Sequence, residues 1–358
     1  MDKKDANVQN TVYVIGAGAS KEANLPTGYE LKGKIIQALD IRHDFQQQFS
    51  GDYIITEALR ISVKRTDNRN SSINQYITNA AWLIRDALPL AISIDNFIDA
   101  HRDDDKIALC GKLAIVQSIL EAEKNSPLYF ESSNKDSKIP FLNLEKTWYN
   151  RFFQLLTESC EKNDLQERFE SVTLIIFNYD RCIEHFIYYA LQNYYRVTGH
   201  EAAELVKAIN IYHPYGDVGS LPWQNREPVS DKKLVMEFGK EPEPEQLLEL
   251  SNNIKTFTEG TDPQSSEISE IRRHLKLADR VVFLGFAFHP MNMQIITPEN
   301  TYNNPVKVFA TTLGISDSDK EVISAQIKKS LPGRNSVSMM NKTCYEFFGE
   351  YWRSLSFC

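Results

Sequence analysis

Two short runs in this chain put polar groups where chemistry would need them. In "FNYDRCIEH", Asn178 and Asp180 stand two apart at the end of an apolar run. Residues i and i+2 of a strand share a side, so an amide and a carboxylate would face one cleft together. The alternative for Asp180 is a cap on the helix that follows. In "TVYVIGAGASKEANLPTG", Gly16, Ala17, Gly18 and Ser20 follow a second apolar run. Glycines there allow a tight turn and close backbone approach to a pyrophosphate, with a helix N-terminus favouring the anion. The GxGxxG fingerprint is incomplete, because Lys21 stands at its third glycine. A merely tight strand-to-helix turn would use the same residues.

Weaker signals surround these two. "YHPYGDVG" places His213 before Pro214 and Gly216. A histidine titrating near about 6.5 can take a hydroxyl proton at neutral pH, although a single loop histidine often has a structural role. "SIDNFID" carries Asp95 and Asp99 on one side of a helical turn, and equally reads as a helix start with Ser93 as its cap. His289 and Asn292 follow "GFAF" and either line a ligand or fill a loop. Cys182 and His185 lie one turn apart on an apolar helix and read as core. Arg272, Arg273 and Lys276 read as a solvated helix face. There is no GxSxG, HExxH, Walker A or DxDxDG motif.

The elements that must position these groups alternate. Val12–Ile15, Ser171–Phe177, Ala208–His213, Asp279–Phe288 and Pro305–Gly314 are apolar runs of strand character, with a weaker one at Ser336–Met340. Helical spacing follows most of them: a helix after Thr27, then Ile183–Tyr195, Ile268–Leu277, Asp317–Ser330 and Thr343–Leu355. Apolar strands alternating with helices predict a mainly parallel sheet covered on both faces, an α/β fold of Rossmann-like type. Ligands in such sheets sit outside the carboxyl ends of the strands, where GAGAS, NYD, HPYG and GFAFHPMN all fall. Residues 40–169 differ in texture. Stripes such as Ile73, Tyr76, Ile77, Ala80, Ala81, Ile84 and Leu88 predict an inserted helical subdomain. The expected division is 1–39 with 170–358 for the sheet domain and 40–169 for the insertion.

Composition narrows the classes. The chain has 358 residues, 42% hydrophobic and 25% charged, as in an ordinary soluble globular protein. A net charge of −8 argues against a broad nucleic-acid footprint. Five cysteines, none at CxxC spacing, argue against a disulfide framework and a zinc knuckle, and fit reduced thiols in a cytosol. No signal-peptide core is visible near the N-terminus, and no apolar run nears the ~20 residues that span a bilayer. A cytoplasmic location without membrane contact is the expectation.

In their order, "GAGASKEANLP", "FNYD", "HPYG" and "LGFAFHP" resemble the motifs of the sirtuin family. With "SIDNFID" they look still more like the sirtuin-like effectors of bacterial anti-phage defence. The resemblance covers about Thr11–Gly33 and Ser171–Gly314. It implies an NAD site in which Gly16, Ala17, Gly18 and Ser20 cradle the pyrophosphate. Asn178 would hold the nicotinamide ribose or its attacking water, Asp180 the carboxamide region, and His213 would be the general base. Gly285 and Phe286 would touch the phosphates from the other side, with Thr311 and Thr312 near the adenosine ribose; His289 joins the expected binding residues by its place after the glycine-ended strand. Three departures matter. No cysteine lies between His213 and Asp279, where sirtuin deacylases carry a zinc ribbon. Thr27, Gly28 and Tyr29 replace the family's Asp-Phe-Arg, and His-Pro-Tyr-Gly stands for its His-Gly. The acyl-lysine cleft therefore has no visible scaffold. What the resemblance implies is a metal-free NAD hydrolase yielding nicotinamide and ADP-ribose, acting in abortive infection. Restraint by assembly, as a homo-oligomer or with another defence protein, goes with it. A deacylase or ADP-ribosyltransferase, and a non-catalytic nucleotide sensor, are the rival expectations.

Overall fold

Six of the apolar runs become the strands of one sheet. They are β1 (Thr11–Ile15), β2 (Val172–Ile176), β3 (Asn210–Tyr212), β4 (Arg280–Leu284), β5 (Lys307–Thr311) and β6 (Ser336–Met340). In this computed structural model, which describes residues 9–45, 47–65, 72–134, 137–224, 234–260, 266–297, 305–331 and 336–357, the strand order is β3-β2-β1-β4-β5-β6. All five pairings are parallel. This is the 3-2-1-4-5-6 order of dinucleotide-binding sheets, whose connections reverse direction beside the first strand. The fold is α/β and Rossmann-like, as the alternation predicts.

Register decides what meets at the carboxyl edge. Ile15 lies beside Ile176 on one side and Leu284 on the other. The residues after these strands therefore leave the sheet side by side: Gly16, Phe177 and Gly285. Successive side chains alternate between two apolar layers. Val12, Val14, Ile175 and Phe283 belong to one layer; Tyr13, Ile15, Leu174 and Leu284 belong to the other.

Helices that bear on the edge are α1 (Gly28–Ala38), α2 (Ile94–Ala100), α3 (Asp105–Lys124), α4 (Trp148–Thr157), α5 (Cys182–Tyr195) and α6 (Cys344–Leu355). Thr27 caps α1 in a full capping box with Glu30, which ends the loop after β1 at a defined place. Residues 40–169 supply both layers. Ile94, Ile98, Leu113 and Val116 belong to the same apolar layer as Val12 and Val14. Trp148 and Phe152 pack with Tyr13 and Ile15.

The structure adds elements that the periodicities did not mark. Arg42–Asp44 and Gln47–Ser50 form a two-stranded antiparallel ribbon inside the helical stretch. They are too short and too exposed to show an apolar pattern. Gln75–Ala81, within a stripe that the spacing does mark as helical, winds as a π-helical turn. Gly199–Ala208 is a helix started by a Thr198–Glu201 capping box, a T-x-x-E signal legible in "TGHE". No helix among the described residues is long and apolar enough to cross a membrane.

Candidate active site

The loop after β1 is held first by the protein itself. Gly16 N–H donates to Leu284 O at 2.9 Å and Gly18 N–H to Gly285 O at 2.9 Å. A Cβ on Gly16 would lie 2.5 Å from Gly285 O, and one on Gly18 would lie 2.8 Å from it. Gly285, at φ +55°, would place its own Cβ 2.0 Å from Ala19 N. The three glycines are thus required where two strand-end loops touch backbone to backbone. Glu22 locks the loop further, its carboxylate accepting from Trp148 N–H at 2.6 Å and Tyr345 N–H at 2.9 Å. These are the starts of α4 and α6, where orphan amides seek an acceptor.

Beside this junction lies a cavity of about 330 Å³, walled by Gly16, Ala17, Asn178, Asp180, Phe286 and His289 among others. Its floor is a buried chain of hydrogen bonds. Asn178 Nδ2 donates to Ser20 Oγ at 2.7 Å, and Ser20 Oγ donates to Asp180 Oδ2 at 2.8 Å. Asp180 Oδ1 accepts from Cys182 N–H at 3.2 Å, at the start of α5. Asp180 therefore serves the helix and faces the cavity at once. Burial pushes its carboxyl up, against the bonds from Ser20 and Cys182. Ser20 is 3% exposed and links the loops after β1 and β2.

The opposite wall comes from elsewhere in the chain. Ser93 Oγ accepts from Asn96 N–H at 3.1 Å and starts α2. The next residue but one, Asp95, lines the cavity and accepts the Tyr179 O–H. Burial pushes the Asp95 carboxyl up, the Tyr179 bond opposing. Tyr179 stays a phenol, its pKa raised by burial and then by Asp95. Tyr215 O–H donates to Asn292 Oδ1 at 2.7 Å. His289 stacks on Phe257 with centroids 5.3 Å apart, and its Nδ1 accepts from Met291 N–H at 3.4 Å. Burial pushes this imidazole down, toward the neutral form. Among the described residues that line the cavity there are two carboxylates and no lysine or arginine. Such a site has negative charge left over for a ligand.

The residues named from sequence are thus distributed. Gly16, Ala17, Asn178, Asp180, Phe286 and His289 meet at the cavity. Gly18 and Gly285 stand behind it as backbone packing. Thr311 Oγ1 accepts from Gly285 N–H at 2.8 Å and so braces that loop from the next strand; Thr312 is buried beside it. His213 lines a separate polar cavity with Glu184, Arg181 and Asp217. Its Nε2 faces Glu184 Oε1 at 2.7 Å and its Nδ1 faces the Asn178 carbonyl at 3.2 Å. The wall residues Asp95, Tyr179 and Tyr215 were not among the expected site residues. "SIDNFID" held the signal for Asp95, but a helix start accounts for the same letters, and the structure uses Asp95 for the cavity while Ser93 caps. Tyr179 falls between two residues that share a side, and the loop turns all three toward the cavity.

Other candidates close. Cys182 and His185 form no thiolate–imidazolium pair: burial raises the thiol well above its usual range and lowers the imidazole to about 3. Arg273 pairs with Glu270 on an exposed helix face. Among the described residues, no group of three or more His, Cys, Asp or Glu could hold a metal ion. No family model matches the chain, and no curated protein matches it, so the reading of this site rests on its geometry.

Proposed function

We propose that the cavity binds NAD⁺ and hydrolyses its nicotinamide–ribose bond, releasing nicotinamide and ADP-ribose. One observation carries the reading: an amide and two carboxylates converge, without a countercation, at the carboxyl ends of β1 and β2 in a sheet of dinucleotide-binding order. In the step, the C1′–N bond breaks and its electron pair returns to the pyridinium nitrogen, giving neutral nicotinamide. Water oxygen bonds to C1′, and its proton leaves to solvent. The leaving group is already cationic, so no strong acid is needed. What helps is negative charge near the oxocarbenium-like ribose, as in glycoside hydrolysis, and a held water. Asp180 supplies the charge, and the Asn178 amide orients a water or a ribose hydroxyl. His213 acts through Asn178: it braces that residue's carbonyl and is a positioning residue. By the sequence resemblance, the reaction serves anti-phage defence, restrained by assembly of copies or with another defence protein.

The test is nicotinamide release from NAD⁺ by the purified chain, with calorimetric binding alongside. Asn178→Ala and Asp180→Asn are each expected to lower turnover by about a hundredfold, the scale of losing one preorganised electrostatic group. Neither binding nor turnover by the wild-type chain overturns the reading. Turnover retained in both variants moves the chemistry elsewhere. Release that depends strictly on an acylated peptide assigns the cavity to a deacylase.

A further inference from the structure

We propose that Asp95 is a substrate-facing carboxylate contributed by the helical stretch, and that it makes the cavity prefer the positively charged pyridinium of NAD⁺ over the neutral ring of the reduced dinucleotide. The inference rests on the reading of the cavity as an NAD⁺ site and deepens it.

Asp95 is held in place from its own helix. The Ser93 cap fixes where α2 begins, and Ile94, Phe97 and Ile98 bury the other side of the turn in the apolar layer. Asp95 is left at the cavity wall. Its side-chain partner there is the phenol of Tyr179, a neutral donor that sits between Asn178 and Asp180. A neutral donor fixes a carboxylate's position without cancelling its charge, whereas a guanidinium or ammonium would do both.

The surroundings keep that charge effective. The buried rings of Phe177, Tyr215, Phe257 and Phe286 share the wall, so water screens it less than at an open surface. The titratable groups lining the cavity with Asp95 are Tyr29, Tyr179, Tyr215, Asp180 and His289; burial pushes the His289 imidazole toward its neutral form, and the others carry no positive charge. Aromatic faces next to carboxylates suit a flat cation. The oxidised nicotinamide ring carries that charge and the reduced ring does not. The same field assists the chemistry, since positive charge moves from the ring to the ribose as the bond breaks.

A structural role for Asp95, holding Tyr179 in place, is the competing account, and the choice of substitution separates the two. Asp95→Asn keeps an oxygen to accept the Tyr179 O–H and removes the charge. Asp95→Ala removes both. The full chain is titrated calorimetrically with NAD⁺ and with NADH, and KM and kcat for nicotinamide release are measured. Wild type is expected to bind NAD⁺ the more tightly. Asp95→Asn is expected to lose about tenfold or more of that preference, as for truncation of one member of a desolvated charge pair, with its melting temperature nearly unchanged. Asp95→Glu restores part of the preference. The ratio of 1-methylnicotinamide to nicotinamide binding, a cation against its neutral counterpart, moves the same way. An unchanged NAD⁺/NADH ratio in Asp95→Asn, with loss only in Asp95→Ala, overturns the proposal and leaves the NAD⁺ reading standing. A wild-type chain that binds neither dinucleotide overturns both.

Discussion

Two carboxylates reach the segment Asn178–Arg181 from the helical stretch, and they are treated in opposite ways. Glu123, on α3, is wholly enclosed. Arg181 Nε donates to it at 3.1 Å and Gly239 N–H at 3.0 Å, with a further bond from Arg181 Nη2 at 2.5 Å. Arg181 also donates to the carbonyls of Gly219 and Met236. Asp95, on α2, meets one phenol and a cavity. A carboxylate answered by a cation and by every neighbouring donor is scaffold. A carboxylate answered by a neutral group keeps its field for something that arrives from outside. Glu123 is fully buried and Asp95 only partly so at the cavity wall, and their partners differ in the same sense.

Breaking the scaffold side should produce the largest effect. Glu123→Ala leaves the Arg181 guanidinium buried without its counter-ion, which costs about 3–5 kcal/mol. Urea denaturation measures it, and a loss below about 1 kcal/mol would make the pair an ornament of the fold. Gly285 stands on the same side of the comparison. Gly285→Ala must place a Cβ against Ala19 N at positive φ, with an expected loss of about 2–5 kcal/mol from backbone strain and overpacking. A fall in Tm of a few degrees or less would show that the two loops can part cheaply.

The open side should respond more gently. Ser93→Ala removes the cap that sets Asp95 at the wall and is expected to cost about 1 kcal/mol. If Asp95 acts on the ligand, NAD⁺ affinity falls along with the modest loss in stability; affinity that stays put uncouples the cap from the site. The smallest effect is a change of slope with pH. Folding raises the Asp95 carboxyl above its ordinary range, so the folded chain takes up a proton between the ordinary value and the raised one. Wild type should therefore gain stability relative to Asp95→Asn as the pH falls through that window, and lose it again as the pH rises past the raised value. Parallel stability–pH curves for the two proteins would contradict this.

Much of the sheet could be read from the chain because its strands are buried on both faces. "VYVI" and "VVFL" are runs of buried hydrophobic residues, and each is punctuated by glycine at the edge where the site lies. The capping boxes at Thr27 and Thr343 likewise mark their helices directly. The polar ribbon Arg42–Ser50 left no comparable trace, since its pairing is local and solvated. The site was legible in part for a related reason. Asn178 and Asp180 are announced by the strand before them, whereas Tyr215 and Asp95 enter the cavity through loops and a helix start whose direction depends on tertiary packing. His213 shows the converse. Its strand end was evident, but the carboxylate that holds it, Glu184, lies on α5, where helical periodicity marks it only as one polar residue among apolar ones. The glycines had two sufficient explanations in sequence. Only the close approach of Gly16 and Gly18 to Gly285 shows that the first demand on them comes from the protein itself.

The register at the centre of the sheet also bears on how the chain is made. Thr11 pairs with Arg280 across β1 and β4, a separation of 269 residues. The middle of the sheet thus waits for a segment that leaves the ribosome late, and contacts so distant in sequence form slowly. Gly285, Phe286 and His289, which complete one side of the cavity, arrive with it. A nascent or prematurely ended chain therefore carries Asn178 and Asp180 without the loop that encloses them. Whatever the cavity does to its ligand, synthesis itself withholds it until the segment through His289 has been made.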